Sequence, residues 1–132
     1  MSDRLPDDLQ EELGSKIADA VRVASEPQSV PVNLYEAEGA LVLLAPLPGV
    51  MPGDITVTVD GDQLHIAASM RSPAAKDYLV HEWHYGPYER TVDIPAGFSG
   101  QPVATFGNGQ LALRIPRGAD GTPGRVTIGP SA

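Results

Sequence analysis

Two apolar runs, Val103-Ala104-Thr105-Phe106 and Leu111-Ala112-Leu113-Arg114-Ile115, stand on either side of Gly107-Asn108-Gly109. Asn-Gly between such runs is a hairpin signal, because a tight turn matched to strand twist needs positive φ at its centre. This feature commits the second half of the chain to antiparallel sheet, and the same pattern recurs upstream. Ile55, Val57 and Val59 alternate with Thr56 and Thr58, Asp60-Gly61 marks a turn, and Leu64 and Ile66 then alternate around His65. His65 is expected to face solvent. Leu41-Val42-Leu43-Leu44 is apolar on both faces, which predicts a strand covered on both sides. Pro46, Pro48, Pro52, Pro73, Pro95 and Pro116 fall at the ends of these runs, where sheets tolerate a missing N–H. With 13 Pro and 14 Gly in 132 residues, the elements must be short. Short strands with regular turns and no long helix between them predict an all-β fold, an antiparallel immunoglobulin-like β-sandwich over residues 30–117.

The flanking regions read differently. In residues 1–29, Leu5, Leu9, Leu13, Ile17 and Val21 recur at helical spacing behind a Pro6-Asp7-Asp8 start signal, and Glu26-Pro27 ends the run. A short N-terminal helical arm is expected, with a stripe too narrow to stand without docking. Residues 118–132 are Gly/Pro-rich, polar and expected to form a flexible tail, interrupted by Val126-Thr127-Ile128.

A net charge of −8 argues against nucleic acid, since phosphate binding needs Lys/Arg patches. The absence of cysteine excludes disulfides and thiolate metal sites. No apolar stretch approaches the ~20 residues that span a bilayer, and the acidic N-terminal stretch has no signal-peptide core, so no membrane partner and a cytoplasmic location are expected.

One stretch invites a catalytic reading. His81-Glu82-Trp83-His84 falls one residue short of H-E-x-x-H, whose chemistry requires two histidines on one helical face. Here the spacing is i, i+3 within Tyr78, Leu79, Val80, Trp83 and Tyr85, a strand composition. On a strand, Leu79, His81, Trp83 and Tyr85 point one way and Val80, Glu82 and His84 the other. A shared metal would then need a bulge or a partner chain. With no nucleophile elbow and no phosphate loop elsewhere, the chain reads as a non-enzyme without catalytic residues, metal or cofactor.

Four segments resemble the small heat-shock protein (α-crystallin domain) family, bacterial type. Leu47-Pro48-Gly49-Val50 followed by Asp54-Ile55-Thr56-Val57 is similar to its P-G-V segment and strand. Tyr88-Glu89-Arg90-Thr91-Val92-Asp93-Ile94-Pro95 is similar to F-x-R-x-x-x-L-P, with Tyr for Phe and Ile for Leu. Ala104-Thr105-Phe106-Gly107-Asn108-Gly109-Gln110-Leu111 matches A-x-x-x-N-G-x-L, and Val126-Thr127-Ile128 matches the tail motif. Their order and spacing across residues 32–128 carry the resemblance.

The resemblance implies an ATP-independent holdase that keeps unfolding client proteins from aggregating, working as homodimers that assemble into larger homo-oligomers. It implies that residues 77–85 form a strand exchanged with the partner, so that Tyr78, Leu79, Val80, His81, Glu82, Trp83, His84 and Tyr85 are interface residues. Arg90 is implied at the same seam, in an ion pair with Glu82 or Glu89. Val126 and Ile128 are implied to fill a neighbour's groove, lined by Ile55, Val57, Val59, Val103 and Thr105. The arm carries no aromatic residue, so client binding would rest on Leu5, Leu9, Leu13, Ile17 and Val21 or on the sandwich grooves. The alternative is a β-sandwich adaptor or co-chaperone-like module without holdase activity.

Overall fold

The structure is a computed structural model that describes residues 27–70, 77–83 and 86–130. The expected helical arm therefore lies outside the described residues. Among those described, the chain forms strands β1 (Gln28–Ser29), β2 (Asn33–Ala37), β3 (Ala40–Pro46), β4 (Ile55–Asp60), β5 (Gln63–Ala68), β6 (Tyr88–Asp93), β7 (Val103–Gly107), β8 (Gln110–Pro116), β9 (Gly124–Val126) and β10 (Ile128–Pro130). A single 3-10 turn, Pro52–Asp54, precedes β4.

The strands build two stacked five-stranded sheets, ordered β1-β6-β5-β4-β9 and β10-β7-β8-β3-β2. All pairings are antiparallel except the two terminal ones, β1 with β6 and β10 with β7. The Asn-Gly hairpin forms as read, with Asn108 at φ 54° and Gly109 at φ 75°, and it sets Phe106 opposite Leu111. A second hairpin of the same kind joins β2 to β3 through Glu38 (φ 52°) and Gly39 (φ 75°). Glu38 holds a left-handed backbone that favours Gly, Asn or Asp, so no residue preference announces this turn.

Period-two alternation decides which side chains enter the core. Leu41, Leu43 and Ala45 of β3 face Ile55 and Val57 of β4 and Leu64 and Ile66 of β5, all buried. Each such side chain contributes about 1.5–3 kcal/mol through removal from water. Leu111, Leu113 and Ile115 extend this layer along β8, while Phe98, Ile94 and Leu47 close its ends. The expectation that β3 is covered on both faces is corrected: Val42 and Leu44 face outward and are only half-buried. Their neighbours across the strands are Arg114 and Ala112, and no second layer lies over them among the described residues. In the C-terminal extension, Val126 belongs to the core cluster and is 6% exposed.

Candidate functional site

Three features of this sandwich bear on what it can bind. The first is the segment after β5. Residues 77–83 join no sheet, and they expose Leu79 completely, Val80 at 71% and Trp83 at 49%. Tyr78 and His81 stack with ring centroids 4.3 Å apart and 13° between planes. Residues three apart on a strand point to opposite faces, so this stack defines a bend rather than an extended strand. His84 and Tyr85 lie outside the described residues.

Trp83 is anchored although its ring is half exposed. It hydrogen-bonds the Tyr88 side chain, and Tyr88 Oη donates to the Pro48 carbonyl at 2.9 Å. Burial pushes the Tyr88 phenol above its ordinary value of 10.0, and the Trp83 hydrogen bond pulls the other way. Beneath the indole, Gly49 (φ 84°) admits Met70, whose Cε would stand 2.6 Å from any Cβ placed there. Gln28 Nε2 ties the two ends of the segment together, donating to Gly86 O at 2.5 Å and to Met70 Sδ at 3.7 Å.

The second feature is the outer edge of β2, which ends its sheet with one side unpaired among the described residues. Leu34 and Tyr35 are exposed on it, at 38% and 47%. An unpaired edge beside exposed apolar side chains is a template for another strand.

The third is the groove between the edges of β4 and β7. In this chain it is occupied by the chain's own tail. β9 lies antiparallel on β4, with Val126 opposite Val57, Arg125 opposite Thr58 and Gly124 opposite Val59. One residue later β10 runs parallel to β7, with Ile128 in register with Ala104. The tail thus adds a strand to each sheet and closes the open side of the sandwich. Of the residues assigned to the groove by sequence, Ile55 and Val57 are buried, and Val59 and Thr105 are half-buried. Val103 instead points to solvent and is 58% exposed. Ala104 and Phe106 are the inward residues of β7 that sequence reasoning passed over. The signal was available, since an Asn108-Gly109 turn pairs Phe106 with Leu111 and so turns Ala104 inward with it.

Arg90 is half-buried, and its Nη1 donates to the Val30 carbonyl at 3.0 Å. Glu89, one expected partner of Arg90, lies instead 3.5 Å from His65 Nε2. Glu82, the other, is exposed and takes no part in an ion pair among the described residues. The His65 ring is not simply solvated, for its Nδ1 sits 3.0 Å from Thr91 Oγ1. Among the described residues no group of three His, Asp or Glu is placed to hold a metal. No helix among them is long and apolar enough to cross a membrane.

Comparisons with known proteins accord with this geometry. The model of the Hsp20/alpha crystallin family matches residues 34–128, from β2 to the tail. The 19.0 kDa class II heat shock protein of Oryza sativa subsp. japonica is 34% identical over 123 residues, covering 84% of this chain and 70% of that protein. Spore protein SP21 of Stigmatella aurantiaca is 29% identical over 110 residues, 80% of this chain, and the chain spans 65% of its length. The solved structure of hspA from Xanthomonas axonopodis superposes with a TM-score of 0.64 at 27% identity, covering 72% of this chain and 99% of that one. A small heat-shock protein from Xylella fastidiosa gives a TM-score of 0.62 at 28% identity, covering 79% and 99%. A sandwich with an apolar segment outside it, an open edge and a V-x-I tail, matched over most of its length, is a member of the Hsp20/alpha crystallin family, the small heat-shock proteins, known as chaperones.

Proposed function

We propose that this protein is an ATP-independent holdase, binding partly unfolded proteins and preventing their aggregation, and that it works as homodimers able to join into larger oligomers. The observation that carries the reading is the pairing of supply and demand across the sandwich. Tyr78, Leu79, Val80 and Trp83 are exposed on a segment with no sheet of its own, while β2 offers an unpaired edge flanked by Leu34 and Tyr35. In the dimer, residues 77–85 straighten and add to the partner's β2, with main-chain hydrogen bonds supplying the pairing and side chains the buried area. His81, Glu82, His84 and Tyr85 complete that strand. Arg90, held by the Val30 carbonyl, sits at the seam.

The tail supplies the second level of assembly. Its contacts with β4 and β7 are those that a neighbour's tail would make, so exchange of Val126 and Ile128 between chains joins dimers without a new interface. Ordering a free tail costs about 1–2 kcal/mol per residue, which offsets much of the gain from burying two side chains and keeps the link reversible. Clients are bound by the apolar stripe of the arm, Leu5, Leu9, Leu13, Ile17 and Val21, and by the grooves when tails leave them.

Native mass tests this assembly scheme. A dimer or larger species at micromolar concentration, falling towards dimer on Val126→Ala with Ile128→Ala, is expected. A monomer indifferent to both substitutions would instead mark an adaptor-like module.

A further inference from the structure

The tail does not reach its groove through a loose tether. The linker, residues 117–123, is laid against the loop that leads into β7. Gly118 N donates to Gly97 O (3.2 Å), Ser99 N to Gly118 O (3.0 Å), Gly121 N to Ser99 O (2.9 Å), and Gly100 N to Pro116 O (2.9 Å). Gln101 Oε1 accepts from Thr122 N at 3.2 Å and lies 3.4 Å from Thr122 Oγ1. At the linker's start, the Arg117 guanidinium lies 4.4 Å from the centre of the Phe98 ring.

Two glycines make this apposition possible. A Cβ on Gly100 would stand 2.6 Å from Pro116 O, and a Cβ on Gly121 would overlap the Gly100 carbonyl. Gly121 has no left-handed backbone, so space alone excludes a side chain there. The two backbones therefore meet directly and deliver Gly124 opposite Val59.

From this geometry we infer that the Gly100–Gly121 contact is a clamp that holds the tail in its own chain's groove, so that the groove is self-capped and the tail reaches another chain only when the clamp opens. The inference rests on the proposed role of the tail in assembly and names its regulation. A tail joined to its groove by so short a path is present there at an effective concentration in the millimolar range, against micromolar neighbours, which favours the intrachain contact by roughly a factor of 100–1,000. Opening the clamp leaves the covalent tether but lets the linker take other paths, which lowers that advantage and exposes a tail and a groove together. Residues 117–123 are thus the latch between a closed dimer and an assembling one.

The chain has no cysteine, which permits a direct test. Thr58 and Arg125 are opposite one another on β4 and β9. Antiparallel partners stand about 4.5–5.5 Å apart at Cα, within reach of a disulfide. Thr58→Cys with Arg125→Cys, oxidised at micromolar concentration, is expected to link within one chain, read by non-reducing gel and by mass of the joined peptide. Adding Gly121→Val should lower the ratio of intrachain to all other products about tenfold. Gly121→Ala is the milder version where the valine prevents folding, as read by circular dichroism. Covalent dimers as the main product of the parent pair, or an intrachain fraction unchanged by either Gly121 substitution, would overturn the clamp. The fate of the lost fraction separates the two claims. Interchain links support both, whereas free thiols support the clamp and refute tail exchange between chains.

Discussion

Trp83 hydrogen-bonds Tyr88, whose hydroxyl in turn donates to the Pro48 carbonyl, so the exposed segment is fastened to the sandwich at its far end. This attachment leaves Leu79 and Val80 free and keeps the indole beside the Gly49 turn. Trp83→Ala should weaken the proposed dimer by about 2 kcal/mol or more, roughly 30-fold in Kd, because a large aromatic anchor would be lost. Sedimentation at several concentrations reads the change. His81→Ala should shift it by under about 0.5 kcal/mol, since that exposed ring stacks on Tyr78 at the surface.

Tyr88 gives the fold an alkaline limit. Its folded pKa lies above the unfolded value, so its contribution is fully present below about pH 10 and is lost as pH rises through the folded value. Above pH 10 the unfolded chain has released the proton while the folded chain keeps it, and ionisation favours unfolding. Urea midpoints from pH 8 to 11 should fall at the alkaline end. Tyr88→Phe should flatten that limb while costing about 1 kcal/mol at pH 8 for the lost hydrogen bonds.

Gly49 cannot be replaced without moving its neighbours. Gly49→Ala meets both a left-handed backbone at φ 84° and the Met70 methyl at 2.6 Å. A loss of about 1–3 kcal/mol is expected from urea unfolding, with a shift in Trp83 emission, because Met70 and Trp83 pack over the same turn.

Val126→Ala with Ile128→Ala removes apolar surface from one buried and one half-buried side chain. A loss of about 2–4 kcal/mol in the stability of the closed sandwich is expected on the transfer-plus-cavity scale. Hydrogen exchange along β4 and β7 should accelerate in the same variant, because each strand regains a free edge.

Much of the sandwich was legible in the chain, and the failures have physical reasons. Alternation identified β4 and β5 because one face of each packs on the core and selects apolar residues at every second position, and the Asn108-Gly109 turn between apolar runs identified β7 and β8. β2 escaped because it is an edge strand whose Leu34 and Tyr35 are consecutive and both exposed, so no period marks it. The double-sided reading of β3 mistook outward Val42 and Leu44 for a covered face. Val103 and Thr105 were implied in the groove by the resemblance, whereas the side chains of β7 that the sandwich buries are Ala104 and Phe106. The tail's strands were recognisable from Val126-Thr127-Ile128, but its occupation of its own groove depends on the clearance between Gly100 and Gly121, which no local pattern encodes.

The proposed holdase activity is measured directly by client aggregation. A heat-labile protein is warmed with and without this chain, at equal subunit ratio and with no ATP, while light scattering is followed. Strongly suppressed scattering is expected, with the client recovered in soluble complexes. Scattering unchanged at equal and at several-fold excess ratios would contradict it.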